Sequence, residues 1–284
     1  MVHKNTLKYI IRNGGPEKIF RAITFYLYDK IMRKTLHFDN TVLILKKYKM
    51  RILPRDSGIS TELQIYGIHE PLTTSVIFNE VKSGMVCIDL GSNIGYYAII
   101  ESNLIGKSGR VIAIEPSPTN FPLLKSNLEL QKTDNFEMHN IAIGDKNENV
   151  EFIISTKSNW SKIKENDNEV KPNDKIINIL VKTLECFIEE NNIQKIDLIR
   201  MDVEGFERKI ISSSLSILKK LKPKLMIEVH KMYLGKDKTR DILKELENLD
   251  YEIKYFIPRI YDSPIIGKSS DIKELKMIDV IDQL

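Results

Sequence analysis

From residue 85 onward, short apolar runs alternate with stretches of helical period. The runs "MVCIDLG", "GRVIAIEP", "FEMHNIAIG", "VEFIIST", "INILVKT", "IDLIRMDVEG", "KLMIEVH" and "YEIKYFI" read as strands. Helical spacing in the intervals predicts helices over 94–104, 119–130, 184–191, 206–221 and 238–249. Strands that are apolar nearly throughout belong to a parallel sheet covered on both faces by helices. The expected fold is therefore α/β, a doubly wound, mostly parallel, Rossmann-like sheet. The last two strand-like pieces, 251–257 and 259–265, are expected to form an antiparallel edge.

Upstream the pattern differs. Residues 1–35 read as helical: Pro16 suits a first turn, and Phe20, Ile23, Leu27 and Ile31 share one face. "TVLILKKYKMRILPRD" reads as two short strands joined by a basic turn, and Pro71 opens a helix that continues to Gly84. This divides the chain into a helical and hairpin extension, 1–68, and a main domain, 69–284. Residues 1–51 hold twelve Lys and Arg against three Asp and Glu, although the whole chain is only +4. The basic excess is thus N-terminal. It fits either a helix packed on the core, the reading favoured here, or peripheral contact with an anionic membrane.

Composition is that of an ordinary globular protein, 42% hydrophobic and 29% charged. Its two cysteines, Cys87 and Cys186, exclude a disulfide framework and suggest buried thiols in a reducing, cytoplasmic compartment. No signal-peptide pattern is visible at the N-terminus, and the early apolar segment is too short and too charged to span a bilayer.

Candidate chemistry centres on "DLGSNIG". In an open parallel sheet, ligands sit outside the carboxyl ends of the strands, and this turn closes the first strand of the alternating region. Gly91 is expected to let a ligand approach the backbone. Glu115 ends the next strand, where an acid can accept hydrogen bonds from both hydroxyls of a ribose. The ligand should then contain a nucleoside. A dinucleotide needs G-x-G-x-x-G, but here Gly91 is followed by Asn93 and Tyr96 at the glycine positions. Asp89, placed before the turn, would repel a pyrophosphate and suits the ammonium and sulfonium charges of S-adenosyl-L-methionine.

The segment 70–230 resembles the FkbM family of class I S-adenosylmethionine-dependent methyltransferases. The resemblance is carried by "IHEPLTTSVI", "CIDLGSNIGYYAI", "VIAIEPSPTNFPLLKSNLEL", "NIAIGD", "VKTLECFI", "IDLIRMDVEGFE" and "LMIEVH", in family order. It implies that Asp89, Gly91, Ser92, Asn93 and Gly95 hold the methionine part. Glu115, followed by Pro116, would take the ribose, and the region around Ala142 would border the adenine. Glu70 and Thr74 would cover the methionine end from the N-terminal side. Glu185-Cys186 stand where the family usually has an Asp pair, and Arg200 stands for a common lysine.

Methyl transfer to a hydroxyl needs an aligned nucleophile and a route for its proton. The candidates are Asp202, Glu204 and His230, all at the carboxyl ends of neighbouring strands. No ligand spacing calls for a metal, and none is assigned. The Asn/Asp-Pro-Pro-aromatic motif of enzymes that methylate nucleic-acid bases is absent after the fourth strand, where Asp202-Val203-Glu204-Gly205 stand. The expected activity is O-methylation of a glycan or small hydroxylated metabolite, without a nucleic-acid partner. The alternatives are a dinucleotide-dependent oxidoreductase and a non-catalytic nucleoside-binding protein. The polar excursion 157–175, with the single tryptophan Trp160, is expected to be mostly a solvated loop.

Overall fold

Residues 41–53, 56, 58–155 and 160–258, with Pro16 and Phe20, are described by the computed structural model. The expected helix over 1–35, its membrane contact and the strand 259–265 lie outside the described residues, apart from those two positions. No helix among the described residues is long and apolar enough to cross a membrane.

Five parallel strands form the central sheet: β3 (Val86–Leu90), β4 (Arg110–Ile114), β5 (Phe136–His139), β10 (Leu198–Met201) and β11 (Lys224–Ile227). Their order is β11-β10-β3-β4-β5. The chain starts in the middle, builds one way through β4 and β5, then returns to the other side of β3 with β10 and β11. The gap between the carboxyl ends of β3 and β10 is the switch point where such sheets bind ligands. Both faces are buried, which explains the continuous apolar runs. Ile88, Leu90, Ile112, Ile114, Ile199 and Met201 belong to one core. Cys87, Val111, Ala113 and Leu198 belong to the other. A helix over Tyr96–Ile105 lies in that second core and is buried on most sides, from Tyr96 through Ser102, as expected of a helix without a polar face.

The extension joins the main core. Hairpin strands β1 (Thr41–Ile44) and β2 (Tyr48–Arg51) bury Ile44, Tyr48 and Met50 in the second core. Asn127, fully buried, receives the Arg51 N–H at 2.7 Å and donates to the carbonyls of Arg51 and Ile94 at 2.9 and 2.7 Å.

A second sheet has the order β6-β9-β7-β8, with β6 (Ala142–Gly144), β7 (Glu148–Ile154), β8 (Lys162–Ile163) and β9 (Lys175–Thr183). It places Phe152, Ile163, Ile179 and Val181 in the first core. Several expected elements change here. "FEMHNIAIG" splits into β5 and β6, which belong to different sheets. The excursion 157–175 contains β8, paired with β7 through Phe152 and Ile153. The helix expected over 206–221 is two, Glu207–Ser213 and Leu215–Leu221, and the one expected over 238–249 begins earlier, at Lys231, and bends at Gly235. Of the strand expected at 251–257, only an isolated bridge at Phe256 forms among the described residues.

Candidate active site

Parallel register places Arg200 of β10 opposite Asp89 of β3. One guanidinium nitrogen lies 2.9 Å from Asp89 Oδ1 and the other 2.8 Å from Asp202 Oδ2. Asp89 is completely buried, and its Oδ2 has no hydrogen-bond partner. Tyr97 lies against the guanidinium, 4.1 Å from its centre, and donates its hydroxyl to Glu70 at 2.7 Å. Glu70 also meets His69, which reaches Glu62 with its other nitrogen. Burial disfavours the His69 imidazolium, but Glu70 and Glu62 outweigh it and raise His69 to about 10. Beneath Asp89 lies Glu101, with no exposure and no hydrogen bond to either oxygen. Burial and the Asp89 charge push its carboxyl well above the usual range, against the pull of Arg200. The charges here alternate from Glu70 through Arg200 to Asp202.

The turn after β3 is held from within. The N–H groups of Gly91 and Ser92 donate to Ile114 O, Asn93 N–H to Glu115 Oε2 at 2.7 Å, and Gly95 N–H to Ser92 O. A pyrophosphate cradle requires free N–H groups in this turn, and these four are already donated, which weighs against a dinucleotide. Gly91 has a packing role that the sequence did not show. A Cβ there would stand 1.9 Å from the Asp202 carbonyl oxygen, and φ is +80°. Glycine is needed so that the two strand ends can close on each other. Gly95 likewise makes room for Leu124.

Glu115 Oε1 accepts the Ser117 N–H at 2.9 Å while Oε2 takes that of Asn93. Burial pushes this carboxyl up to about 7, although those two N–H groups and the Asn120 amide favour its charged form. The carboxylate is fixed at the carboxyl end of β4 with further lone pairs on both oxygens. Asn140 donates to the carbonyls of Glu115 and Pro116, which ties the β5–β6 turn to the same edge.

A cleft of about 630 Å³, counting its open mouth, occupies the switch point. Gly91, Asn93, Glu115, Pro116, Ala142, Asp202 and Glu204 line it, with Ile114, Ile143, Phe152 and Phe206 among its apolar walls. Of the residues expected around a cofactor, Asp89, Ser92, Gly95, Glu70 and Thr74 stand behind this lining and not in it. Thr74 bonds to His69 O and Tyr96 Oη. Ser161, Lys162 and Ile163 close the opposite wall. Sequence reasoning left these three in a solvated loop, and their only signal is the pairing of β8. Trp160 does not line the cleft.

Asp202, Glu204 and His230 do converge, but through a turn and not through strand alternation. β10 ends at Met201, and Glu204 and Gly205 both have left-handed φ, +52° and +106°. His230 Nε2 then lies 3.8 Å from Asp202, 3.5 Å from Glu204 and 3.6 Å from Glu228. Nδ1 bonds to Glu207 Oε1 at 2.6 Å. Burial opposes charge on His230, but Glu207, Glu204 and Asp202 together raise it to about 9. Glu207 has no exposure at all. Its role was not foreseen, although it closes the "DVEGFE" motif.

A model of the FkbM methyltransferase domain matches residues 89–253. The chain belongs to the FkbM methyltransferase family. Its cofactor is S-adenosyl-L-methionine, the methyl donor of the class I fold. The residues present suit that molecule: a carboxylate fixed for ribose hydroxyls, an apolar slot between two sheets, and acids around a cation. Comparison with solved structures finds low-identity likenesses. Precorrin-6y C5,15-methyltransferase from Geobacter metallireducens is 12% identical, with TM-score 0.40, over 66% of this chain and 74% of that one. An O-methyltransferase from Thermotoga maritima is 15% identical, with TM-score 0.36, over 65% and 50%. Aeropyrum pernix fibrillarin, in complex with S-adenosyl-L-methionine, is 12% identical, with TM-score 0.38, over 71% and 69%. A search of curated proteins finds no match.

Proposed function

We propose that this methyltransferase acts on a hydroxyl of a glycan or small hydroxylated metabolite. The observation that carries this reading is a second cleft, of about 500 Å³, adjoining the first across Glu204, Phe206 and Lys162. Glu165, Glu169 and Lys162 give it a charged wall and Tyr233 an aromatic face, a combination suited to a hydroxyl-rich ring. The cofactor side would use Glu115 for the ribose, Ala142 and Ile143 beside the adenine, and Asp202 near the amino-acid end.

In the transfer, a lone pair of the acceptor oxygen forms the new O–CH₃ bond. The methyl–sulfur bond breaks with its electrons going to sulfur, and the hydroxyl proton leaves to a base. The carboxylates of Asp202 and Glu204 at the junction of the two clefts are the acceptors the geometry supplies. The test is incubation of the protein with methyl-labelled cofactor and an extract of hydroxylated compounds. One compound should gain a CH₂ unit on oxygen, and Asp202→Asn should abolish the gain. Label found only on nitrogen or carbon, or none at all, would reject the proposal.

A further inference from the structure

We propose that Asp202, Glu228 and His230 form a site for a divalent transition-metal ion beside Glu204, which lines both clefts. This rests on the proposed O-methylation only for its use, not for its existence.

The three side chains come from two strand ends. Each offers one donor atom, and these atoms lie within 4.8 Å of one another. From His230 Nε2 the separations are 3.8 Å to Asp202 Oδ1 and 3.6 Å to Glu228 Oε1. These are too long for hydrogen bonds. Donors that share one ion at bond lengths of about 2.1–2.3 Å, at angles of about 90–110°, stand roughly 3.0–3.8 Å apart. The two separations from His230 Nε2 fall within that range.

A second observation is independent of the acids. His230 Nδ1 is held at 2.6 Å by Glu207, a carboxylate with no exposure whose Oε2 has no hydrogen-bond partner. A carboxylate only accepts, so Nδ1 carries the proton and Nε2 is the atom turned toward Asp202 and Glu228. Metal-binding histidines are oriented in this way, by a carboxylate on the far nitrogen. The same Oε1 accepts the Gly205 N–H at 3.1 Å, so Glu207 fixes the turn after β10 and the His230 ring together. The turn that sets Glu204 3.5 Å from Nε2 is itself held in a left-handed conformation unusual for glutamate. One imidazole with two carboxylates suits Mn²⁺, Fe²⁺ or Zn²⁺ better than Ca²⁺, which prefers oxygen alone. An ion here would lie beside Glu204, which lines both clefts, and an acceptor oxygen bound to it would lose its proton more readily. Linear spacing gave no sign of the site because its ligands are assembled by β10 and β11.

The experiment strips the protein with a chelator and titrates it with Mn²⁺, followed by electron paramagnetic resonance and calorimetry. One Mn²⁺ per chain is expected, with nitrogen coupling from an imidazole. His230→Gln should remove the coupling, and the pair Asp202→Asn with Glu228→Gln should remove binding. Glu207→Gln keeps all three ligands and should weaken Mn²⁺ ~10–100-fold, with circular dichroism confirming that each variant is folded. Absence of Mn²⁺ binding by the wild type, or binding unchanged by these substitutions, would overturn the site. Cofactor affinity of the stripped protein is measured in parallel. If it persists without Mn²⁺ uptake, the metal site alone falls. If Mn²⁺ binds with nitrogen coupling but no methylated product ever forms, the site stands and the proposed acceptor chemistry falls.

Discussion

Replacing Arg200 by methionine should expose how far the switch point depends on one cation. Arg200 is 5% exposed and lies between Asp89, fully buried, and the more accessible Asp202. Its removal leaves the Asp89 carboxylate without either oxygen paired, in a site water does not reach. Breaking a buried pair from one side costs about 3–5 kcal/mol. There is also a ceiling, because the variant can instead take up a proton. Neutralising a carboxyl of ordinary acidity at pH 7 costs about 4 kcal/mol, and at pH 5 only about 1.5 kcal/mol. The penalty should therefore be about 3–4 kcal/mol at pH 7 and should shrink to 1–2 kcal/mol, in rough terms, at pH 5. Urea unfolding at both pH values measures it, with Asp89→Asn added in a double variant that should recover most of the loss. A penalty below about 1 kcal/mol at pH 7, or one that does not change with pH, would refute the claim that a buried charge is being compensated.

Gly91→Ala should destabilise the fold by more than about 2 kcal/mol, since the new methyl meets the Asp202 carbonyl at 1.9 Å and the backbone has positive φ; near-normal stability in thermal melting would contradict the packing role. Glu115→Gln should weaken cofactor binding in calorimetry by about 1–3 kcal/mol and leave kcat nearly unchanged. Because burial raises the Glu115 carboxyl from 4.5 to about 7, the folded state retains a proton that the unfolded chain has already lost, so stability falls as pH rises through this window; the Gln variant should flatten that part of the profile. His69 acts in the same direction in a higher window: its pKa rises from 6.5 to about 10, so its contribution is full below 6.5 and is lost as pH climbs through 10, and a magnetic-resonance titration midpoint near 6.5 would rule this out. Asn127→Ala should cost about 2–3 kcal/mol in urea unfolding by stranding the Arg51 N–H and the carbonyls of Arg51 and Ile94.

The central sheet was legible because its physics is local: a strand buried on both faces must be largely apolar, and "VCIDL" and "RVIAI" are, apart from Asp89 and the leading Arg110. The second sheet was less so. "FEMHNIAIG" carries no break in its hydropathy, and the chain turns at Asn140 because that side chain bonds to carbonyls of the next strand's edge. β8 has two residues and no pattern of its own. In the site, the identities of Asp202, Glu204, His230 and Glu115 could be read from their positions after apolar runs. Their partners could not. Pairing Arg200 with Asp89 needs the register of β10 on β3, and the Tyr97–Glu70 bond joins residues far apart in sequence. Gly91 shows the same limit: the sequence marks a tight place, and only the fold shows that another strand fills it.

The distribution of acids also separates binding from rate. A sulfonium loses its positive charge as the methyl group leaves, so carboxylates near it stabilise the starting state at least as well as the transition state. Attraction of that kind tightens binding and does not accelerate transfer. On the proposed reading, Glu115 and the acids on the cofactor side of the cleft would contribute affinity and ease departure of the neutral product. Acceleration has to come from alignment and from the acceptor oxygen, whose electron density must grow as its proton leaves. On the proposed reading those demands meet on the far side of Asp202, where His230 gathers Glu204 and Glu228 and Glu204 lines the second cleft. Asp202 belongs to both halves: its Oδ2 is tied to Arg200 and through it to Asp89, and its Oδ1 faces His230. Any shift of β10 against β3 would move both ends together, which makes the tight closure at Gly91 a condition for chemistry as well as for folding.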